Sequence, residues 1–179
     1  MTEKIIIAGA GGQGIMLLGK VLACAALKKN LNVTWFPSYG AEVRGGAAHC
    51  MVIISSEEVP SPYIDKADIL IAMNEPSLLK FKQRIKSRGL LLVNGSLVNR
   101  RPDAKSKGIR TLPFTEAAAK LGNIKVANMV ALGAYIAKSN TLSKQVVFEA
   151  IQEIAPEEKK DLIQINKLAI EEGIKLAQR

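Results

Sequence analysis

A chain of 179 residues with 48% apolar content is long enough to build one core of ordinary size. Its two cysteines, Cys24 and Cys50, are too few for an iron–sulfur cluster or a zinc site, and no apolar run reaches the roughly 18 residues of a membrane span. The formal net charge of +9 is unevenly placed: residues 80–110 hold ten basic residues against Asp103 alone, and the remainder carries 15 of each sign.

The opening EKIIIAGAGGQG reads as a buried strand over residues 4–8 followed by a glycine loop. That apolar run is short and glycine-broken, unlike a signal peptide, and points to a cytoplasmic protein. IMLLGKVLACAALKK predicts a helix over about 14–29, apolar on nearly all sides and so covered on more than one face. NVTWF, AAHCMVIIS and ADILIAM predict strands at 32–36, 47–55 and 67–73. Pro76 marks the first turn of a helix expected to run to Arg88, with Leu78, Phe81 and Ile85 as its buried stripe. A fifth strand follows at 90–94 and a short sixth at GIRTLP. Helices are then expected at about 114–120, 128–138, 143–154 and 157–176.

This alternation of strands and helices argues for an α/β fold: a three-layer α/β/α, Rossmann-like, mostly parallel sheet. Strands two to four, within residues 30–75, lack intervening helices, so either antiparallel strands or long connections are expected there. Residues 1–179 read as a single domain, with the helices of about 143–179 packed on it.

GAGGQG satisfies G-x-G-x-x-G through Gly9, Gly11 and Gly14, between a strand and a helix. Three readings stay open: an anion held at Gly11, Gly12, Gln13 and Gly14, close backbone packing, or a complete dinucleotide site. The last wants an acid after the second strand, and none occurs between Glu3 and Glu42. Gln13 is the polar residue best placed to face a ligand. The basic segment could attract nucleic acid, an acidic protein or an anionic cofactor, or be a solvated face. No aromatics alternate with its Lys and Arg residues, which disfavours a single-strand stacking platform.

Two stretches, GAGGQGIMLLGKVLACA and PSYGAEVRGGAAHCMVIIS, together with NMVALGA at 128–134, closely resemble the gamma subunit of the 2-oxoacid:ferredoxin oxidoreductases. The resemblance covers most of the chain and thins after about residue 139. It implies a subunit of a complex that converts a 2-oxoacid, coenzyme A and oxidised ferredoxin to acyl-CoA, carbon dioxide and reduced ferredoxin. The complex would use thiamine diphosphate, magnesium and iron–sulfur clusters, none held by this chain alone. Implied partners are alpha and beta subunits, a ferredoxin-like delta subunit as a further candidate, and ferredoxin as acceptor; neither nucleic acid nor membrane is expected. The compact length leans toward the 2-oxoglutarate or branched-chain types. The isolated chain is expected to be inactive, with no catalytic residue and no metal ligand of its own. A freestanding nucleotide-binding oxidoreductase is the alternative.

In that setting Tyr39, Gly40, Glu42, Arg44, Gly45 and Gly46 form the second candidate element, with Asn128 beside it. The loop could dock a partner at the assembled active site, contact coenzyme A or substrate, act in acid/base catalysis, or be a glycine-shaped turn closed by a Glu42–Arg44 pair. Being at the carboxyl ends of strands, it is expected to share one crevice with Gly11–Gly14. His49, the only imidazole, lies on a predicted strand with no orienting acid nearby and reads as a packing residue. Lys105, Lys107 and Arg110 are candidates for recruiting ferredoxin.

Overall fold

Ile5, Ile6 and Ile7 follow one another, and successive strand side chains point to opposite faces. All three are fully buried, so their strand must be covered on both faces. The computed structural model, which describes residues 1–38, 47–99, 102, 106 and 108–178, meets that demand with one sheet. Its strands are β1 (Thr2–Ala10), β2 (Asn32–Ser38), β3 (Ala47–Ser55), β4 (Ala67–Ala72), β5 (Ile85–Asn94) and β6 (Gly108–Leu112). They lie in the order β2-β3-β1-β4-β5-β6. β1, β4, β5 and β6 pair in parallel, while β3 is antiparallel to both β1 and β2. The antiparallel expectation for the helix-free segment therefore resolves to one reversed strand, wedged between β1 and β2.

The helices are α1 (Ile15–Lys28), α2 (Glu75–Phe81), α3 (Phe114–Lys120), α4 (Ala127–Ile136), α5 (Lys144–Ile154) and α6 (Leu162–Gln178). The two helical layers are unequal. One face, with Ile5, Ile7, Val52, Ile54 and Ile71, packs against α1, α3, α4, α5 and α6. The other, with Ile6, Ala8, Met51, Leu70 and Val93, meets, among the described residues, Leu78 and Phe81 of α2, Ile64 and Val59 of the coil before β4, and Val98, besides neighbouring strand residues. Each fully buried aliphatic side chain stabilises by roughly 1.5–3 kcal/mol, so the larger cluster anchors the fold.

Helix α4 has nine buried residues of ten, including Asn128 and Tyr135. A helix with no wet face needs close neighbours on all sides. Its contact with α6 is backbone to backbone: a Cβ on Gly133 would strike the Ile170 carbonyl, and one on Gly173 would strike the Val130 carbonyl. At its far end the buried Tyr135 hydroxyl donates to Glu3 at 2.5 Å, and the Ser139 hydroxyl donates to the same carboxylate at 2.9 Å. These bonds fasten the end of α4 to the start of β1. Burial, then the Glu3 charge, raises the Tyr135 pKa well above 10.0, which keeps the phenol a neutral donor.

Two elements differ from their expectations. Residues 82–88 do not continue the helix: α2 stops at Phe81, a short 3-10 turn covers Lys82–Arg84, and β5 begins at Ile85. Ile85 is buried, 5% exposed, but as a strand residue paired with Ala67. The spacing of Leu78, Phe81 and Ile85 suits a helix and a helix-then-strand equally. Pairing with β4 decides between them. The last predicted helix likewise divides, into a 3-10 turn at Glu157–Lys159 and α6.

His49 sits on β3 with its ring centroid 4.8 Å from that of Phe81. Its Nδ1 is buried without a hydrogen-bond partner. Burial, then the charges of Lys80 and Arg84, push its pKa below 6.5. The neutral ring is therefore favoured by folding, and its contribution to stability is complete above pH 6.5 and lost as pH falls through the lowered value. The single imidazole C2–H resonance of the folded chain should titrate with a midpoint below 6.5; a midpoint above it would contradict this packing. Gly133→Ala or Gly173→Ala should each destabilise by about 3 kcal/mol, seen as a melting temperature lowered by roughly 6–12 °C.

Candidate functional site

The carboxyl ends of β1, β4 and β5 converge on one edge of the sheet, where α/β folds place their ligands. β1 leaves this edge through Gly11–Gly14 into α1. The glycines from Gly9 to Gly14 fall into three kinds. A Cβ on Gly9 would meet Ile15, Gln13 and Met73 within 3.0 Å, and one on Gly14 would collide with the Asn128 amide. These two are packing glycines. Gly12 has φ +89, a left-handed conformation that favours glycine. Gly11 is neither: it is exposed, has no positive φ, and no described residue lies within 4 Å of an added Cβ.

Gln13 turns inward. Its Oε1 accepts from the Ala10 amide at 2.7 Å, and its Nε2 donates to the Met73 carbonyl at 3.3 Å. The Met73 carbonyl also accepts from Asn94 Nδ2 at 3.2 Å, and that amide donates to Thr115 Oγ1 at 2.9 Å. Asn94 is fully buried. A ladder of amides thus ties the ends of β1, β4 and β5 to the start of α3. Asn128, 3% exposed, lies under the loop; its Nδ2 donates to the Gly14 carbonyl at 3.1 Å. Gln13 and Asn128 therefore shape the loop from within, and the groups facing outward at Gly11 and Gly12 are backbone. No side chain caps α1, whose N-cap is Gly14, and no acid occupies its first turn. The N–H groups at this helix start, with the positive end of its dipole, face the edge.

Two shallow depressions flank Gly12. One of about 280 Å³ includes Gln13, Leu97, Thr115, Ile124 and Lys125; the other, about 380 Å³, includes Gly11, Ile15, Leu17 and Ala48. Leu17, Leu97 and Ile124 are 42%, 43% and 62% exposed, so the polar backbone has an apolar rim. Lys125 is the cation here. Asn94, Thr115 and Lys125 were not singled out from the sequence; an asparagine ending an apolar strand, in LLLVN, was the available signal for the first.

Tyr39, Gly40, Glu42, Arg44, Gly45 and Gly46 lie outside the described residues. Their flanks are described. Ser38 pairs with His49, and Ala47 pairs with Ala10, the last residue of β1. The chain thus leaves and re-enters the sheet at the edge that carries Gly11.

The same topology argues against a complete dinucleotide site. Such a site needs an acid at the carboxyl end of a parallel strand next to β1 on the side away from β4. That place is taken by β3, which runs the other way and presents its amino end, Ala47 and Ala48. Among the described residues no three His, Cys, Asp or Glu side chains converge as metal ligands. No described helix is long and apolar enough to cross a membrane.

Comparison with known proteins matches the pyruvate ferredoxin/flavodoxin oxidoreductase family model to residues 4–176. Ketoisovalerate oxidoreductase subunit VorA of Methanothermobacter thermautotrophicus is 36% identical over 178 residues, covering 98% of this chain and 36% of VorA. The chain thus spans about a third of the length of that relative. 2-oxoglutarate synthase subunit KorC of Methanocaldococcus jannaschii is 36% identical over 173 residues, covering 93% of this chain and 92% of KorC. The crystal structure of a keto/oxoacid ferredoxin oxidoreductase gamma subunit from Geobacter sulfurreducens superposes with TM-score 0.84 at 31% identity, covering 98% of both chains. With the family model matched over residues 4–176 and KorC 36% identical over nearly its whole length, this chain belongs to the pyruvate ferredoxin/flavodoxin oxidoreductase family.

Proposed function

We propose that this chain is the gamma subunit of a cytoplasmic 2-oxoacid:ferredoxin oxidoreductase, read as one domain over residues 1–179. Within such a complex it would shape the site where a 2-oxoacid and coenzyme A become acyl-CoA and carbon dioxide as ferredoxin is reduced. Thiamine diphosphate, when bound on the alpha and beta subunits, supplies the electron sink for decarboxylation. This chain's share is backbone donors, an apolar rim and exclusion of water. 2-oxoglutarate and branched 2-oxoacids are the substrates favoured, in keeping with the names of the relatives.

The observation that supports this best is Gly11. Packing accounts for Gly9 and Gly14, and backbone conformation for Gly12. Among the described residues Gly11 answers to neither, which supports a close approach to its backbone by a group other than these, such as a ligand or partner. We place Gly11, Gly12, Gln13 and Gly14 at the active-site edge, where the uncapped start of α1 suits an anionic group. Asn128 positions that loop. Tyr39, Gly40, Glu42, Arg44, Gly45 and Gly46 are assigned to the partner and substrate interface, since Ser38 and Ala47 bring their ends to the same edge.

The test uses the complex reconstituted with its partner subunits and assayed by dye reduction with 2-oxoglutarate or 3-methyl-2-oxobutanoate and coenzyme A. Gly11→Leu should leave the melting temperature of the isolated chain within about 2 °C, while turnover of the complex falls at least about tenfold. Gly14→Ala should instead unsettle the isolated chain itself, because its Cβ meets Asn128. Full turnover with Gly11→Leu would remove the loop from the active-site edge. Dye reduction that does not depend on coenzyme A would remove the reaction.

A further inference from the structure

At the opposite end of the sheet, β4 and β5 pair irregularly. Ala67 pairs with Ile85 and Ile69 with Leu90. Between these pairs β4 spends one residue, Asp68, and β5 spends four, Lys86 to Gly89. An ordinary bulge sets two residues against one, and bulges serve to re-aim side chains. This one is larger, and it pushes Lys86, Ser87 and Arg88 into solvent.

The excursion is built in rather than loose. Gly89 is required at its base, since a Cβ there would meet the Asp68 carbonyl at 2.8 Å and Ile85 at 2.7 Å. The Ser106 hydroxyl donates to the Gly89 carbonyl. Asp68 accepts from the Lys4 amide at 3.0 Å and pairs with Lys86 at 2.6 Å, so it ties the bulge to β1.

Beside the bulge lies a depression of about 520 Å³ lined by Lys66, Lys82, Gln83, Ile85, Lys86, Ser87 and Arg88. The lining has four bases and no acid. Lys66 is held by the Gln83 carbonyl at 2.8 Å, and Arg84 by the carbonyls of Ile64 and Asp65. A carbonyl fixes a cation without neutralising it. Such pinned charges lose little side-chain freedom on binding a partner.

We infer that this bulged, basic surface docks an acidic protein. The lining is concave and has no aromatic residue on which bases could stack, which disfavours a nucleic acid. Its one large apolar residue, Ile85, is 5% exposed, so it offers no anchor to a lipid surface. Carboxylates projecting from a folded partner fit both the hollow and the Lys and Arg donors. The surface stands about 20 Å from Gly11, taking 3.3 Å per strand residue, and is separate from the site described above. Lys105 and Lys107 lie outside the described residues, and the inference does not use them.

The full chain is titrated calorimetrically with an acidic ferredoxin at low salt, about 20 mM, where surface charges act at long range. Ser87→Glu with Arg88→Glu leaves the Lys86–Asp68 pair intact and should weaken binding at least about tenfold, whereas Lys175→Glu on α6 should change it less than about twofold. The wild-type interaction should fade as salt rises. Ferredoxin binding that is absent or indifferent to the double variant overturns the inference. So does tighter binding to a short DNA duplex or to phosphatidylserine vesicles. Dye-linked turnover of the complex keeps the two readings apart: it tests the reaction assigned above and should be unchanged by the double variant.

Discussion

Helix α4 has no face in water, and most of what positions the candidate site is fastened to it. Its first turn holds the glycine loop through Asn128, its last turn holds the start of β1 through Tyr135 and Glu3, and its flank meets α6 through Gly133 and Gly173. A buried helix can make three such contacts only if small residues let backbones approach and each buried polar group finds a partner. Both conditions hold here. The motif NMVALGA therefore reads as a packing device from end to end: Asn128 for the loop, Gly133 for the neighbouring helix.

That arrangement explains why the polar side chains near the edge turn inward. Gln13, Asn94, Thr115 and Asn128 satisfy main-chain groups at the strand ends, and their hydrogen bonds fix the edge as one rigid piece. What remains outward is glycine backbone, the start of α1 and an apolar rim. A surface of this composition is suited to being completed by another chain. Among the described residues no three His, Cys, Asp or Glu side chains converge there as metal ligands. The reversed strand β3 serves the same end, since it occupies the place where a nucleotide-binding fold would read a ribose.

The two ends of the sheet differ in chemistry. Among the described residues the carboxyl end is glycine-rich and apolar at its rim, with Lys125 as a cation. The amino end, around β5, gathers cations on an enlarged bulge. Lys82, Lys86 and Arg88 of the basic segment thus lie away from the candidate active-site edge. Arg84 also contributes structurally, since its guanidinium binds main-chain carbonyls and lies 5.1 Å from the Tyr63 ring. A basic segment in sequence is therefore part scaffold and part exposed surface.

The sequence by itself determined the strands that carry uninterrupted aliphatic runs, the helix after the glycine loop, and the family, because these rest on local pattern and on two motifs at fixed spacing. It also placed Gly11–Gly14 at a strand end, and foresaw that residues 30–75 would break the parallel rule. Tertiary structure alone decided the rest. Whether residues 82–88 were helix or bulged strand depended on Ile85 finding Ala67, a partner eighteen positions away. Which glycines serve packing depended on what stands opposite them: Asn128 against Gly14, Ile170 against Gly133, and no described residue against Gly11. Gln13 and Asn128 carry the same amide chemistry whether they face a ligand or a carbonyl. Only the positions of Ala10, Gly14 and Met73 around them fixed which, because a hydrogen bond is a matter of distance and direction that residue type alone does not set.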